Sequence, residues 1–380
     1  MVAARRMVRR HFGLGHQPVH RALAQVLATI VWPPAVLVHI WEIRRSRGPK
    51  AVPIQRVPGA IWAAMRHNVL PGEYYAYALW LPDRRANIDN YLYAKEGPRL
   101  FKLLNRPLEP NPVDDKLAFY DLCKAHALPS PEILAVFTST GKSMEFESGQ
   151  PPTRDLFVKP RTGSGGEGAE RFRWEGVAFE SNRGVRLCIE ELDGYLATRA
   201  RTENRTLLVQ PALSNHPELH LDANASLATA RLVTGLSTDG DVSAIVGFIY
   251  FAETDQIPAR HSQVALIDVA SGQLVSAPCK LSGTNQSCHP LDNGSHDAQV
   301  LPDWDTVLRH TKVAHRACPN FVFLGWDVAF TEQGPMLLEG NVNWCADEYQ
   351  RLQGKPLGYT RFLDILAAHL SGLKTGEPTI

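Results

Sequence analysis

Residues 156–168 read LFVKPRTGSGGEG, and this stretch is the most informative part of the chain for the fold. The apolar residues before Lys159 predict a short strand, and residues 171–174 alternate polar and apolar side chains as a second strand does. Residues 163–168 match the dinucleotide fingerprint GxGxxG, but that fingerprint joins a buried parallel strand to the N-terminus of a helix. Because this loop joins two strands, and because no Lys-Ser or Lys-Thr follows the glycines, the pattern argues against both a Rossmann site and a Walker loop.

Lys159 is the residue of this stretch that needs an explanation. A cation within an apolar strand is costly unless an anion pairs with it, and a glycine-rich loop with free backbone N–H groups can hold a phosphate beside it. We therefore predict a phosphate site made by Lys159 and the loop that follows it. The alternative is an ordinary surface hairpin with a flexible tip. The loop residues assigned to the phosphate site are Gly163, Ser164, Gly165, Gly166 and Gly168.

Two carboxylates near the C-terminus form a second candidate site. Residues 323–341 read as two strands joined by a turn, and a three-residue loop centred on Gln333 places Asp327 directly opposite Glu339. Opposed like charges destabilise a hairpin unless they are neutralised, and a divalent cation does so most simply. Asn341 shares the face of Glu339, so three hard oxygens suit Mg²⁺ bound together with a nucleotide. The alternatives are that the acids face solvent or pair with arginines, and a one-residue shift in register would separate them.

Most of the chain after residue 110 predicts strands rather than helices. Helical spacing is limited to the segment that follows Asp114, to Trp304–Ala317 and to Arg361–Leu370. The predicted strands are 133–137, 156–159, 171–174, 185–190, 207–210, 228–236 and 244–251. This order predicts an α+β fold with antiparallel sheets rather than a repeating βαβ chain.

The N-terminal fifty residues differ from the rest of the chain. An uncharged run over residues 22–41 has the length of a membrane span and is flanked by arginines on both sides, but Pro33 and Pro34 interrupt it. It also lacks the cleavage pattern of a signal peptide. Three readings remain: a helix packed on the protein's own body, peripheral contact with an anionic membrane through residues 1–48, and a single span. Residues 51–110 predict short helices broken by turns.

Composition excludes some classes of partner. Because 40 Lys and Arg face 39 Asp and Glu, the net charge of +1 gives no general attraction to nucleic acid, and we predict no nucleic-acid partner. The six cysteines form no CxxC pair and are predicted to be reduced and structural. The expected location is the cytoplasm. The alternative is a cytoplasmic protein that contacts the inner face of the membrane.

These elements, in this order, resemble the ATP-grasp superfamily, and in detail its sugar-transfer-associated and α-L-glutamate-ligase-related branch. The resemblance covers about residues 112–370. The motifs that carry it are Asp115-Lys116, FVKP at 157–160 with the glycine loop, Val209-Gln210, HPEL at 216–219, TARLVT at 229–234, GWD at 325–327 and LEGN at 338–341.

The resemblance implies a role for each matching position. Lys116 and Lys159 would hold the phosphates of ATP beneath the glycine loop, and Arg231 and Lys159 would act on the transferred phosphate. Lys280 and His289 fall where the family places residues on the acceptor side. Residues implied to contact the adenosine are Gln210, Pro211, Ala212, Leu213 and Glu218, although His216 and Glu218 also suit a simple turn cap. Residues implied to bind one or two Mg²⁺, with Mn²⁺ as an alternative, are Asp327, Glu339 and Asn341.

The resemblance also implies an organisation and an activity. It places an ATP-grasp domain over 112–370, with subdomains at about 130–213 and 214–370, and a tail over 371–380. Residues 1–50 and 51–111 depart from the family pattern, because the sequence predicts helical segments there instead of the α/β domain that precedes the grasp in many relatives. The implied reaction is an ADP-forming ligation, in which a carboxylate of a small or sugar-linked acceptor becomes an acyl phosphate and joins an amine. The alternatives are a kinase acting on a sugar-like hydroxyl and a non-catalytic nucleotide-binding protein.

Overall fold

The structure is a computed structural model of the 380-residue chain. It describes residues 34–46, 48–49, 52–106, 111–163, 165–221, 225–251, 263–276, 279–280 and 299–375. Five predictions fall wholly or partly outside these residues: Ser164 of the glycine loop, His289, the side chain of Lys280, the N-terminal segment before residue 34 and the tail over 371–380.

The N-terminal part of the described chain is a layer of short helices. Residues 34–46 are helical, and α1 (Val57–His67), α2 (Pro71–Ala76), α3 (Pro82–Ala86) and α4 (Gly97–Leu104) follow. Each of α1–α4 has a proline at its first or second position, where the missing N–H costs no helical hydrogen bond. Val36, Ile40 and Ile43 pack with the buried tyrosines of this layer, so one face of 34–46 docks on the protein itself. Among the described helices, none is long and apolar enough to cross a membrane.

The first sheet has seven strands in the order β2-β1-β7-β3-β4-β5-β6, and all of its pairs are antiparallel. The glycine loop connects β3 to β4, so the prediction that it joins two strands is confirmed. The strands are β1 (Ala135–Thr138), β2 (Gly141–Met144), β3 (Leu156–Pro160), β4 (Glu170–Trp174), β5 (Phe179–Ser181), β6 (Arg186–Leu187) and β7 (Leu207–Pro211).

The predicted strand over 185–190 is wrong at its end. Strand β6 stops at Leu187, and α6 (Ile189–Glu203) begins two residues later. Cys188 is its N-cap, and the Cys188 N–H donates to the carboxylate of Glu191 at 2.9 Å, which completes a capping arrangement. Leu192, Leu196 and Ala200, spaced by four residues, are buried against the first sheet.

The second sheet has six strands in the order β11-β10-β9-β8-β12-β13, again antiparallel throughout. The α+β prediction with antiparallel sheets is therefore confirmed. Its strands are β8 (Thr229–Leu236), β9 (Val242–Phe251), β10 (Gln263–Ile267), β11 (Cys279–Lys280), β12 (Phe323–Thr331) and β13 (Gly334–Asn341). The remaining helices are α5 (Lys116–Ala125), α7 (Trp304–Arg316), α8 (Ala346–Gln353) and α9 (Arg361–Thr375). Of these, the sequence did not predict α8.

A buried polar network fixes the back face of the second sheet. The indole N–H of Trp326 on β12 donates to Thr234 Oγ1 at 2.7 Å, and the same oxygen lies 2.6 Å from His315 Nδ1 on α7. The other ring nitrogen of His315 lies 2.9 Å from Phe321 O. Burial lowers the pKa of His315 to about 4, so the ring is neutral at pH 7. All three polar side chains are therefore satisfied within a core that excludes water.

The register of the β12–β13 hairpin is the predicted one, but it arises differently. Asp327 pairs with Glu339 as predicted. The turn, however, has two residues rather than three, because Thr331 pairs with Gly334. A bulge restores the register, since Val328 pairs with Leu337 and Leu338 is an extra residue on β13. Without the bulge, Leu338 would lie opposite Asp327, and Glu339 would lie opposite Trp326 on the buried face of the sheet.

Candidate active site

One row of directly opposed residues crosses the second sheet and forms the floor of the site. Glu339 on β13 pairs with Asp327 on β12, which pairs with Arg231 on β8, which pairs with Phe248 on β9. Directly paired residues of antiparallel strands point to the same face, so two acids and one arginine lie side by side. Asp327 is the only residue of β12 that is not buried. Asp327 is therefore the residue through which β12, an otherwise apolar strand, contributes to this polar row.

Arg231 and Asp327 form a bidentate ion pair. The guanidinium Nη2 donates to Asp327 Oδ2 at 2.9 Å, and Nε donates to the other carboxylate oxygen. Both side chains are largely shielded, with 12% and 14% of their surface exposed. Burial and the neighbouring Glu339 raise the pKa of Asp327 to about 6, although Arg231 opposes the change. A second cation beside the Asp327 carboxylate would therefore stabilise its ionised form.

Lys116 links the second sheet to the glycine loop. It begins α5, whose N-cap is Asp115, and its ammonium lies 3.1 Å from Glu339 Oε2 and donates to Gly163 O at 2.6 Å. Only 13% of the Lys116 side chain is exposed. One cation therefore joins three predicted parts of the site, namely the helix start, the carboxylate hairpin and the loop.

Lys159 is a second cation in the same place, but it is unpaired. It lies half-buried on β3, and among the described residues its ammonium has no hydrogen-bond or salt-bridge partner. Burial lowers the pKa of Lys159 to about 8; Glu339 and Asp327 raise it, and Lys116 lowers it further. A shielded ammonium without an anion is the arrangement that a bound phosphate would complete.

The carboxylate hairpin has the chemistry of a divalent-cation site. Burial raises the pKa of Glu339, but Lys116 and then Lys159 outweigh it, so the net shift is downward and the side chain is ionised at pH 7. Asn341 follows on the same face, and its buried amide nitrogen has no hydrogen-bond partner. Since either end of an amide can occupy that position, the unsatisfied group also suits an oxygen ligand. Two ionised acids and one unsatisfied amide fit a hard cation.

Acidic clusters beyond this hairpin do not compete with it as metal sites. In the part of the chain that the structure describes, no group of three or more His, Cys, Asp and Glu side chains has metal-binding geometry. The candidate set of Asp327, Glu339 and Asn341 contains only two acids, so a bound cation would need further ligands from phosphate or water.

The glycine loop is exposed at its tip and fixed at its ends. Gly163, Gly165 and Gly166 have φ values of 114°, 67° and 71°, which side chains rarely adopt. Gly168 has φ 77°, and a Cβ there would meet Pro160 Cγ at 2.9 Å. Arg199 on α6 donates to Gly168 O and binds Glu170 at 2.8 Å, so the loop ends at a fixed point.

Comparison with known proteins identifies the family. The model described as sugar-transfer associated ATP-grasp matches residues 97–358, which include both sheets and the whole row of charged residues. The chain belongs to this family. No match was found among curated proteins.

Several solved structures are similar to this ATP-grasp protein at low sequence identity. D-alanine–D-alanine ligase from Bacillus anthracis complexed with ATP has 10% identity and a TM-score of 0.41, covering 70% of this chain and 69% of its own. D-alanyl-alanine synthetase A from Vibrio cholerae has 10% identity and a TM-score of 0.39, covering 68% and 66%. Carboxyaminoimidazole ribonucleotide synthase from Aspergillus clavatus complexed with ATP has 12% identity and a TM-score of 0.31. The match covers 60% of this chain and 44% of the synthase, so the chain spans less than half of that enzyme's length.

The predicted adenosine segment lies at the exit of β7. The side chain of Gln210 is buried and donates to Pro131 O at 3.0 Å, so it is structural in this state. Ala212 N–H donates to Asp155 O at 3.0 Å, and Pro211 has no N–H. An adenine edge read by backbone donors here would therefore use Leu213 N–H. The roles of all four residues stay predictions.

Glu218 lies in a short turn, where its role is also untested. It is exposed, its N–H donates to His216 Nδ1 at 3.2 Å, and its carbonyl accepts from Gln299 Nε2 at 2.7 Å. His216 thus caps the turn, as the simpler interpretation predicted. A ribose contact by the Glu218 carboxylate remains a prediction.

Sequence reasoning missed two pairs that border the ATP-grasp site. Tyr250 on β9 lies two residues beyond Phe248, where the row ends, and donates its hydroxyl to Glu348 on α8. Asp115 binds Arg161, two residues beyond Lys159. The first pair was invisible because α8 was not predicted. The second had a signal, since an Asp at an N-cap and an Arg beside the phosphate lysine were both legible in the sequence.

Proposed function

We propose that this ATP-grasp protein is an ATP- and Mg²⁺-dependent ligase that activates an acceptor carboxylate as an acyl phosphate and joins it to an amine. The observation that carries the proposal is the meeting of Lys116 and Lys159 with the Asp327–Glu339 pair. Two shielded ammonium groups suit a polyphosphate, and two neighbouring acids suit its counter-cation. Membership of the family supports a nucleotide site in this position.

Each residue has a distinct part in the proposed reaction. The carboxylate oxygen of the acceptor attacks the γ-phosphorus of ATP, and the bond to the bridging oxygen of ADP breaks. Lys159 and Lys116 offset charge on the transferred group, and Arg231 stabilises the acyl phosphate. Asp327, Glu339 and Asn341 would hold Mg²⁺, which draws the phosphate oxygens into line when bound. The amine nitrogen then attacks the acyl carbon, phosphate leaves, and the amine loses a proton to water.

A screen of acceptors coupled to ADP release tests this proposal. Carboxylic and sugar-linked acceptors are incubated with Mg-ATP, with and without an amine, and the products are identified by mass spectrometry. An amide formed together with ADP and inorganic phosphate is expected. A stable phosphoester without phosphate release would instead support a kinase, and the absence of ADP with every acceptor would support a non-catalytic nucleotide binder.

The proposed metal ligands have their own test. Glu339→Gln keeps the shape of the side chain and removes its charge, so Mg²⁺-dependent ADP release should fall by about 10²–10³-fold. Replacing Mg²⁺ by Mn²⁺ in the same assay shows which cation the site prefers. Unchanged turnover in this variant would refute the metal assignment.

We also propose that the protein works in the cytoplasm with its N-terminal helical layer against the inner face of a membrane. The face of helix 34–46 opposite its packed side leaves Leu37, Val38 and Trp41 between 49% and 59% exposed. The Arg45 guanidinium lies 5.4 Å from the centre of the Trp41 ring. An exposed apolar face with a tryptophan and arginines suits an anionic interface.

Vesicle sedimentation tests the membrane proposal. The full chain should pellet with vesicles that contain phosphatidylglycerol and less with vesicles of phosphatidylcholine alone. Trp41→Glu should abolish this binding. The matched control is Val177→Glu, which changes an exposed apolar residue outside the N-terminal layer and should have no effect. Equal vesicle binding by Trp41→Glu and Val177→Glu would show that helix 34–46 does not contact the membrane.

A further inference from the structure

The start of α5 is joined to the strand exit of β3 at three points. The Arg161 guanidinium grips the Asp115 carboxylate, with Nε 2.8 Å from both oxygens and Nη2 2.6 Å from Oδ2. The backbone N–H of Lys116 donates to Arg161 O at 3.1 Å. The Lys116 ammonium donates to Gly163 O at 2.6 Å. We call the first of these contacts the Asp115–Arg161 clasp.

The clasp carboxylate does two things at once. Asp115 Oδ1 also accepts from Leu117 N at 2.9 Å and from Ala118 N at 3.2 Å, which caps α5. Burial raises the pKa of Asp115, but Arg161 and these amides outweigh it and the net shift is downward. The carboxylate that sets the first turn of the helix is therefore the one that holds the strand exit.

The clasp sits between the two lysines of the site. Lys159 is two residues before Arg161 on one side, and Lys116 is adjacent to Asp115 on the other. The Arg161 N–H also donates to Thr206 O at 2.9 Å, which ties this point to the start of β7. Two like charges on separate elements are thus held at one separation, although they repel each other. Such a preset spacing is useful only when a polyanion binds between them.

We infer that the Asp115–Arg161 clasp is a positioning device that sets the spacing of Lys116 and Lys159 for the phosphate chain of a nucleotide. This inference rests on the proposed nucleotide site. Neither Asp115 nor Arg161 is assigned a contact with the nucleotide; both act through Lys116.

Mg-ADP binding measured by calorimetry is the first test. Arg161→Met should weaken binding by about tenfold to a hundredfold, because a small displacement of Lys116 misaligns it with the phosphates. Arg161→Lys keeps the charge but loses the two-pronged grip, so an intermediate loss is expected. Asp115→Asn keeps a capping side chain and should match Arg161→Met. The double variant Asp115→Asn/Arg161→Met should be no worse than either single change.

Arg171→Met is the matched control. Arg171 forms an ion pair with Asp155 at 3.3 Å in the same sheet, and it lies opposite Phe157, two residues before Lys159 on the same face of β3. Its loss should leave Mg-ADP affinity within about twofold of the unchanged protein. Equal affinities of Arg161→Met and Arg171→Met, or additive losses in the double variant, would overturn the inference.

Amide hydrogen exchange separates this inference from the proposed function, since it needs no nucleotide. Arg161→Met should speed exchange at Lys116, Leu117 and Ala118, whereas Arg171→Met should not. If the unchanged protein fails to bind Mg-ADP, the proposed nucleotide site is wrong, and exchange still reports whether the clasp orders the helix start. Unaltered exchange in Arg161→Met would overturn the clasp whatever the nucleotide result.

Discussion

The two hairpins that carry the candidate site are built in opposite ways. The β12–β13 hairpin has a two-residue turn, and the buried Trp326 indole lies on its back face. Its charged side chains form ion pairs, as between Arg231 and Asp327. The β3–β4 hairpin ends in an exposed glycine loop, and its lysine is unpaired. On the first hairpin both acids have cationic partners and the Asn341 amide nitrogen lacks one, whereas the lysine of the second hairpin has no partner among the described residues. We therefore expect the β12–β13 hairpin to keep its structure without a ligand and the β3–β4 hairpin to be the one that a bound phosphate stabilises.

Replacing Trp326, which packs beneath the β12–β13 hairpin, should have the largest effect on stability. Trp326 is fully buried on the back of β12, directly beside Asp327 in sequence. Trp326→Ala should lower the free energy of unfolding by about 3–5 kcal/mol. Urea denaturation followed by circular dichroism measures the change. Trp62→Ala, at a partly exposed tryptophan of the N-terminal layer, should lower the free energy of unfolding much less. Equal losses in the two variants would show that Trp326 does not specifically support the β12–β13 hairpin.

Neutralising the unpaired lysine should leave the fold intact and remove function. Lys159→Met should reduce ATP turnover by about 10²–10³-fold, because no other described cation occupies its position on β3. The control is Lys142→Met on β2 of the same sheet, where the lysine is paired with Asp193 at 2.6 Å. Steady-state ADP release is the measurement. If both variants lost activity equally, Lys159 would not belong to the site.

The pH dependence of nucleotide binding should report the same lysine. Because the pKa of Lys159 is lowered to about 8, the side chain is charged below pH 8 and neutral above it in the free protein. Mg-ADP affinity should therefore fall above pH 8, by at most about tenfold per pH unit. Lys159→Arg, which stays charged, should abolish this decline. Titration calorimetry at pH 7, 8 and 9 tests it.

Stability should move in the opposite direction over the same range. The unfolded chain keeps the ordinary lysine pKa of 10.5, so between pH 8 and 10.5 the unfolded state binds more protons than the folded state. The contribution of Lys159 to stability therefore rises with pH through this window. A loss of stability that Lys159→Met reverses would contradict the assigned direction.

The smallest effect is expected from the loop itself. Gly168→Ala places a Cβ 2.9 Å from Pro160 at a positive φ and should cost about 1–2 kcal/mol, whereas Gly165→Ala has the same backbone strain but open space around it. Thermal unfolding compares the two. A larger cost at Gly165 would mean that the tip, rather than the end, of the loop is the fixed part.

The sequence predicted what depended on residue type and local period. The lysine before the glycines, the opposed acids and the antiparallel sheets all follow from alternation and charge, and the structure has these elements in place. It failed where a helix followed a strand directly, at Cys188, and where α8 begins at a residue with positive φ. Partners distant in sequence, such as Arg231 with Asp327, could be listed only as an alternative, because the pairing of β8 with β12 has no local signal.

The bulge at Leu338 has a consequence for comparing relatives of this chain. A two-residue turn with one extra residue on β13 brings Asp327 opposite Glu339, and a three-residue turn without the extra residue would do the same. Both arrangements place eleven residues between the two acids, so relatives that differ in this way need neither an insertion nor a deletion. A change in that number that neither the turn nor a bulge absorbs would move one acid onto the buried face. The number of residues between the two acids is therefore a safer guide than the motif letters to which homologues keep the site.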